Sequence, residues 1–482
     1  MAEQVARRVP GSILARLLMI LAIGFAALVA SPAAAQSVLR DAETEAMFRD
    51  ISAPLIEAAG LRPADVKIVL IHDQSINAFV AGGQIVYVHS GLITRAENAN
   101  ELQGVIAHEL GHVSGGHVIR MGEGIEQATS ISILSLLLGV AAMAAGAGEA
   151  GAAIMGMGQQ AAMSRFLAFN RVQESSADAA GASYLTKAGV SGRGSLAFFQ
   201  KLQDLEFRYA IPQDNGYART HPLNQERIAA LENVYKTDAS WDRPTAPELE
   251  ARFQRVKAKL AGYVEQPERV LARYQSTDQS VSARYARAYA WHRSAYPDRA
   301  LAEAESLLRE SPNDPFFLEL KGQILLESGR PTEALAALRE AVARSRNEPL
   351  IASVFGHALI ATEDPTHYPE AERVLRTVVQ RDYENPFAWY QLGVVYDRRG
   401  DHGRASLATA ERYSLTGEPR MAMLSAQAAM GGIQTGSPDW IRAQDILLAS
   451  RAEVERQGRR GRNRRATDAR PAISAPSALQ RR

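Results

Sequence analysis

No cysteine occurs among the 482 residues. Disulfides, thiolate metal ligands, a cysteine nucleophile and an acylated N-terminal cysteine are all excluded, and an exported chain of this composition can fold without oxidative chemistry. Charge of one sign is missing too: 54 Lys+Arg stand against 53 Asp+Glu. A global nucleic-acid footprint is therefore absent. Uninterrupted long apolar runs are scarce. Leu17 to Ala30 falls short of the roughly 20 residues of a spanning helix. Residues 131–162 are long enough but are broken by Gly146, Gly148, Gly151 and Glu149. That second stretch predicts a helical hairpin packed on its domain, or a mobile flap near a site, in preference to membrane insertion. At most peripheral membrane contact is expected.

Arg7, Arg8 and Arg16 precede the first apolar run, and "SPAAAQS" follows it with Ala33, Ala34 and Ala35 as small residues for processing. This three-part pattern predicts a signal peptide over 1–35, a mature start at Gln36 and a periplasmic location. The length suggests two or three domains. Residues 36–263 mix a small sheet with long helical patterns: "VKIVLIHD" (66–73) and "GQIVYVHSGLI" (83–93) read as strands. Between them Gly82 and Gly83 mark a turn, and a helix is expected to begin near Asn98 or Asn100, either of which could cap it. At the far end, arginines cluster among small and polar residues, so 456–482 predicts a basic disordered tail.

Residues 265–455 carry a repeat. Pro315, Pro349, Pro386 and Pro419 keep step with Ala300, Ala334, Ala371 and Ala405, and with Ala288, Gly322, Gly356 and Gly393. Small residues where two helices touch, and proline after the second helix ends, predict a tetratricopeptide array. Its one irregular step fits an insertion around "EDPTHYP". Such an array offers a concave surface to peptide segments or another protein.

Residues 108–112 spell His-Glu-Leu-Gly-His. On an α-helix, positions four apart share a face, so His108 and His112 can aim ring nitrogens at one ion. Glu109 stands beside that ion without ligating it and can take a proton from water. An open site needs a third protein ligand. His117 is one residue short of the metzincin position and points away from His108 on a continuous helix. Glu174 and Asp178, in "NRVQESSADAAG", are again four apart. Their spacing permits Glu174 to ligate and Asp178 to hold the outer nitrogen of a ligating histidine.

"HELGH" followed by "ESSAD", with "NAFVAGGQIVYVHSGLI", "HVSGGH" and "RTHPLNQERIAAL", resembles the gluzincin metallopeptidases of the CAAX-endopeptidase-like group. The resemblance implies an α+β fold, a mostly helical protease domain with a small sheet, followed here by the all-α superhelix. It also implies one Zn2+ per chain on His108, His112 and Glu174, with Glu109 as general base and Asp178 behind the ligands. His221 would lie near the metal, either stabilising the oxyanion or capping the ion at rest. An extended substrate would add to the edge strand at Asn77, Ala78 and Phe79. Membrane-spanning members have several long apolar helices, and no convincing counterpart is read here, so processing of prenylated peptides within a bilayer is not expected.

The signal segment, protease and repeats together predict an exported zinc endopeptidase acting on unfolded, misfolded or stalled envelope polypeptides, by resemblance outer-membrane β-barrels. The repeats would recruit these or the outer-membrane assembly machinery. The competing reading is a periplasmic chaperone or assembly scaffold that works through the repeats with latent proteolysis.

Overall fold

The computed structural model describes residues 37–144, 147–209, 221 and 225–468. The expected signal segment therefore lies outside the described residues. The first half builds a four-stranded sheet from β1 (Val38–Leu39), β2 (Lys67–Ile71), β3 (Ala78–Ala81) and β4 (Ile85–His89) in the order β1-β2-β4-β3. β2 runs parallel to β4, whereas β1 and β3 lie antiparallel to their neighbours. The Gly82-Gly83 turn joins β3 to β4, both glycines at positive φ (62° and 97°). β4 is shorter than the run that predicts it. It stops at His89, and Ser90–Arg95 forms α2, because Ser90 Oγ donates to the Asp73 carbonyl and turns the chain off the sheet.

Around the sheet pack α1 (Ala42–Ala58), α3 (Ala99–Ser114), α5 (Gly148–Ala188), α6 (Arg193–Tyr209) and α8 (Pro247–Val264). Asn98 caps α3 by accepting from Glu101 N at 2.9 Å. Asn100, the alternative cap, instead ties α3 to the start of α6: it donates to Ser191 O at 2.8 Å and accepts from Gly194 N at 2.7 Å. Residues Ala99 to His112 of α3 are all buried, so the histidine-bearing helix is the axis of this domain.

Between α3 and α6 the chain makes a long excursion. α4 (His117–Ala144) runs out and α5, 41 residues long, runs back. The expected hairpin exists, but large apolar side chains of its distal part face outward instead of packing on the domain. The expectation of no long apolar helix is also corrected: His117–Ala144 is long and apolar enough to cross a membrane, with a mean hydropathy of 1.7. Gly148 and Glu149 stand at the start of α5, so they interrupt the sequence without interrupting α4.

From α9 (Pro267–Arg273) onward the chain is helical, in antiparallel pairs: α10 (Val281–Arg293) with α11 (Pro297–Glu310), α12 (Pro315–Glu327) with α13 (Pro331–Arg344), and α14 (Pro349–Ala361) with α15 (Tyr368–Arg381). Then come α16 (Pro386–Arg398) with α17 (His402–Leu415), and α18 (Pro419–Gly432) with α19 (Pro438–Asp468). The four spaced prolines each open the first helix of a pair, where their missing N–H costs nothing. At Gly322 and Gly356 a side chain would meet Leu338 and Leu375 of the partner helix at 2.4 and 2.6 Å. The irregular step is a one-turn 3-10 helix, Pro365–His367. α19 continues to Asp468, so the first part of the expected disordered tail is helical. No proline stands between Pro438 and Pro471, and Arg, Gln and Ala are good helix formers.

The two halves share α8. One face joins the core of the first half through Phe253, Val256 and Leu260, while Ala258 packs with Val270, Ala286 and Ala290. At the seam Asp41 caps α1 and pairs with Lys259, and Glu43 accepts from Tyr285 at 2.7 Å and pairs with Arg255, which also grips Asp314 at 2.7 Å. β1 and the start of α1 lie over the first helices of three repeats, enclosing a cavity of about 370 Å³ lined by Asp41, Lys259, Glu319, Ser353 and Asn385. Some of the repeat surface expected to receive a partner is thus covered by the protein's own N-terminal strand.

Burial opposes ionisation of both Asp41 and Lys259, yet their attraction wins, lowering Asp41 below 3.8 and raising Lys259 well above 10.5. The Asp41 contribution is present above about pH 4 and is lost as pH falls through its depressed value. The Lys259 contribution is present below about pH 10 and is lost only above it. Denaturant unfolding should show a stability plateau between these limits. Lys259→Met should lower that plateau by about 3–5 kcal/mol, because buried carboxylates lose their partner; an unchanged plateau would show that the seam does not stabilise the fold.

Candidate metal centre

The site begins with two helices touching backbone to backbone. A Cβ at Gly111 would stand 2.6 Å from the Ala177 carbonyl oxygen, and one at Gly181 would stand 3.0 Å from that of Ala107. Only glycine lets α3 and α5 cross this closely. The crossing lies between His108 and His112 on one helix and between Glu174 and Asp178 on the other, so those four side chains face one another.

His108 Nε2 lies 3.2 Å from His112 Nε2, and the two are 3.4 Å from Glu174 Oε2 and Oε1 respectively. His221 Nδ1 enters the same space, 3.0 Å from Glu174 Oε1 and 3.3 Å from His108 Nε2. One ligand atom from each of these four residues lies within 4.8 Å of the others, and all four residues are buried. His108 Nδ1, the outer nitrogen, lies 2.9 Å from Asp178 Oδ1. Glu109 is fully buried, and neither of its carboxylate oxygens has a hydrogen-bond partner among the described residues. His221 Nε2 is 3.5 Å from Glu109 Oε1.

The electrostatics favour a cation at this point. Burial would push His108 down, but hydrogen bonds to Asp178 and Glu174 outweigh it and raise the imidazole to about 10. Burial likewise works against the Glu174 charge, yet hydrogen bonds from His108, His112 and His221 hold it well below the usual carboxylate range. The carboxylates thus stabilise positive charge at His108, whereas burial and the neighbouring imidazoles push His112 down. The buried N/O donors and the orphaned Glu109 carboxylate fit a divalent ion with a water beside it.

Of the residues singled out from sequence, His108, Glu109, His112, Glu174, Asp178 and His221 come together. Asn77, Ala78 and Phe79 do not join the cluster. They lie at the free edge of the sheet, with Ala78 and Phe79 in β3 and the Phe79 ring stacked on Tyr87 at 5.2 Å. His117 lies outside the four-residue cluster. Gly115 and Gly116 end α3, Gly116 at φ 63°, and α4 starts a new axis that sets His117 Nδ1 2.9 Å from His112 Nδ1. It therefore backs His112 as Asp178 backs His108.

Sequence reasoning missed Arg227 on α7 (Gln225–Lys236). Its guanidinium grips Asp178 at 2.6 and 2.9 Å and reaches Glu174 at 3.2 Å. A signal was available: Arg227 shares the buried face of α7 with Ile228, Leu231 and Tyr235. A basic residue on an apolar stripe calls for a buried acid.

Residues 20–235 match the model of Peptidase family M48, and 293–349 and 366–415 match a tetratricopeptide-repeat model. A Vibrio cholerae protein is 28% identical over 293 residues, covering 59% of this chain and 59% of its own length. The beta-barrel assembly-enhancing protease of Escherichia coli K12 is 27% identical over 266 residues, covering 53% of this chain and 52% of its own. Metalloprotease LoiP of the same organism is 28% identical over 180 residues, 37% of this chain and 65% of its own. The chain thus spans little more than half the length of the first two relatives.

If Asp178 fixes His108 for a metal, Asp178→Asn should weaken metal binding about 10- to 100-fold, measured by competition with a chelator. Arg227→Met should act in the same direction through Asp178. Unchanged affinity in both would remove Asp178 and Arg227 from the centre.

Proposed function

We propose that this chain, which joins a Peptidase family M48 domain to tetratricopeptide repeats, is an exported zinc endopeptidase of the bacterial envelope. The observation that carries the reading is the buried His108, His112, Glu174 and His221 cluster beside the Glu109 carboxylate, whose oxygens have no hydrogen-bond partner among the described residues. His108, His112 and Glu174 would hold the ion, with His108 oriented by Asp178 and His112 by His117. When bound, zinc supplies Lewis acidity at this point, polarising a peptide carbonyl and acidifying water.

Glu109 takes the proton from the attacking water and delivers it to the departing amine, so one carboxylate serves as base and then as acid. Its burial keeps it clear of competing solvent. The substrate would approach extended, adding main-chain hydrogen bonds along β3, which tolerates varied sequence and suits unfolded polypeptides. Relatives named for β-barrel assembly support an envelope location; misassembled outer-membrane β-barrels in the periplasm are the substrates this reading assigns.

His221 supports a latent resting state. Its Nδ1 stands among the atoms that would hold the ion, so His221 would act as a fourth protein donor in the place a substrate would need. As a cap it must withdraw before hydrolysis; as an oxyanion donor it would stay nearby. The scaffold reading differs in needing only the repeats.

Glu109→Gln should retain metal and lose at least about 10³-fold in kcat/KM on an unfolded polypeptide; equal activity would remove Glu109 from the mechanism. His221→Ala should raise kcat/KM several-fold if His221 caps the site. A fall of about 10²- to 10³-fold would instead identify an oxyanion donor. Rescue of an envelope defect by Glu109→Gln, but not by a chain lacking the repeats, would favour the scaffold.

A further inference from the structure

The α4–α5 hairpin is built inside out for a protein surrounded by water. Glycines line the contact between the two helices: Gly158 meets Ser135, Gly139 meets Gly151 and Met155, and Gly124 meets the Phe169 ring. Facing outward are large apolar side chains, with Leu137 and Met157 each 63% exposed and Ile133, Leu134, Leu136 and Leu138 all more than half exposed. A helix pair in water buries its leucines and exposes its polar groups. Pairing through small residues with leucines outward is how helices associate among lipid chains.

Charge follows the same order along the hairpin. Between Glu126 and Arg165 the only charged residue is Glu149, at the turn. At the base Arg165 donates to Gln127 at 3.3 Å, with Glu123, Glu126 and Arg171 nearby in sequence. Hydroxyls on the apolar arm bond the helix itself: Ser130 donates to Glu126 O and Ser135 to Ser132 O, both at 2.9 Å. Apolarity of this kind is common in a buried core helix or an N-terminal leader. This window is only 6% buried and lies mid-chain.

We propose that the hairpin inserts tip first into a lipid bilayer, with the Ile133–Ala144 and Gly148–Met157 arms among the acyl chains and the Gln127–Arg165 collar at the headgroups. Gly158 lies against Ser135, so Gln159 and Gln160 stand level with Leu134 and Ile133, at the boundary of the inserted part on the collar side. From Ile133 to the turn the arm measures roughly 20 Å at about 1.5 Å per residue, two thirds of a hydrocarbon core of about 30 Å. The hairpin is a wedge, and Glu149 at its tip is the main cost of insertion. Glu174 lies on the same helix seventeen residues beyond Met157, which sets the metal cluster roughly 25 Å along α5 from the inserted part. Membrane insertion does not rest on the peptidase reading, and vesicle binding and hydrolysis fail separately.

The cysteine-free chain permits a direct test. Leu137→Cys and, on α19, the exposed Leu448→Cys are each labelled in the full chain with an environment-sensitive fluorophore. They are mixed with phosphatidylethanolamine/phosphatidylglycerol vesicles carrying acyl-chain nitroxides. The label at 137 should shift to the blue and be quenched at least several-fold more than the label at 448. Glu149→Gln should raise the vesicle-bound fraction several-fold. Joint Leu134→Glu, Leu137→Glu and Leu138→Glu should lower it at least tenfold with metal content and helicity retained. A label at 137 that stays in water beside vesicles would overturn the proposal. So would shielding that grows with protein concentration without lipid, which would mean that a second copy covers the hairpin.

Discussion

The candidate centre depends on one backbone contact, the crossing of α3 and α5 at Gly111 and Gly181. A metal site made from two helices needs both helix surfaces within side-chain reach of one point. Imidazole and carboxylate differ in length, so the spacing between axes matters more than rotamer choice. A methyl group at Gly111 would collide with the Ala177 carbonyl, and the helices would part just where Glu174 meets the two histidines. The core beneath holds the crossing shut: Leu102, Val105, Ile106 and Leu110 of α3 are fully buried.

Close helices create a second problem, because they bury ionisable groups that water would otherwise solvate. Each such group has an answering partner. Asp178 lies between His108 and Arg227, Glu174 is met by three histidines and the same arginine, and His117 stands behind His112. Removing a member strands the charge it faces, so these residues are coupled and their effects should not add. Glu109 is held more loosely: His221 Nε2 stands 3.5 Å away, and neither carboxylate oxygen has a hydrogen-bond partner among the described residues. That is what a proton-transferring group needs, since a partner would compete for the proton it moves.

Local spacing made much of this legible. His108 and His112 show in five letters, and the repeats show in proline and alanine steps that α12, α14, α16 and α18 reproduce. What was not legible was tertiary. Whether Ile133 to Leu138 pack inward or outward cannot be read from their apolarity, because a core helix and an exposed one share a composition. The Ser90 turn depends on Asp73, seventeen residues away. Arg227 was legible only to a reader asking why a cation sits on an apolar stripe. His117 was judged by the periodicity of one continuous helix, when Gly116 had already ended it.

The hairpin and the centre are mechanically one object, but not symmetrically. α5 runs without a break from Gly148 through Glu174 and Asp178 to Ala188, so a force on its distal half reaches the carboxylates along a continuous hydrogen-bonded rod. α4 connects to the histidines only across Gly115 and Gly116, the latter in a left-handed conformation that interrupts the helix. A load on the hairpin is therefore felt by Glu174 and Asp178 more directly than by His108 and His112. The Gly111–Ala177 contact resists that shear, since sliding α5 along α3 would carry the Ala177 carbonyl out of the space that only a glycine leaves and against the side chains on either side of it. The residue that permits the ligands to meet is thus also the one that keeps them in register when the outer arm of α5 is engaged.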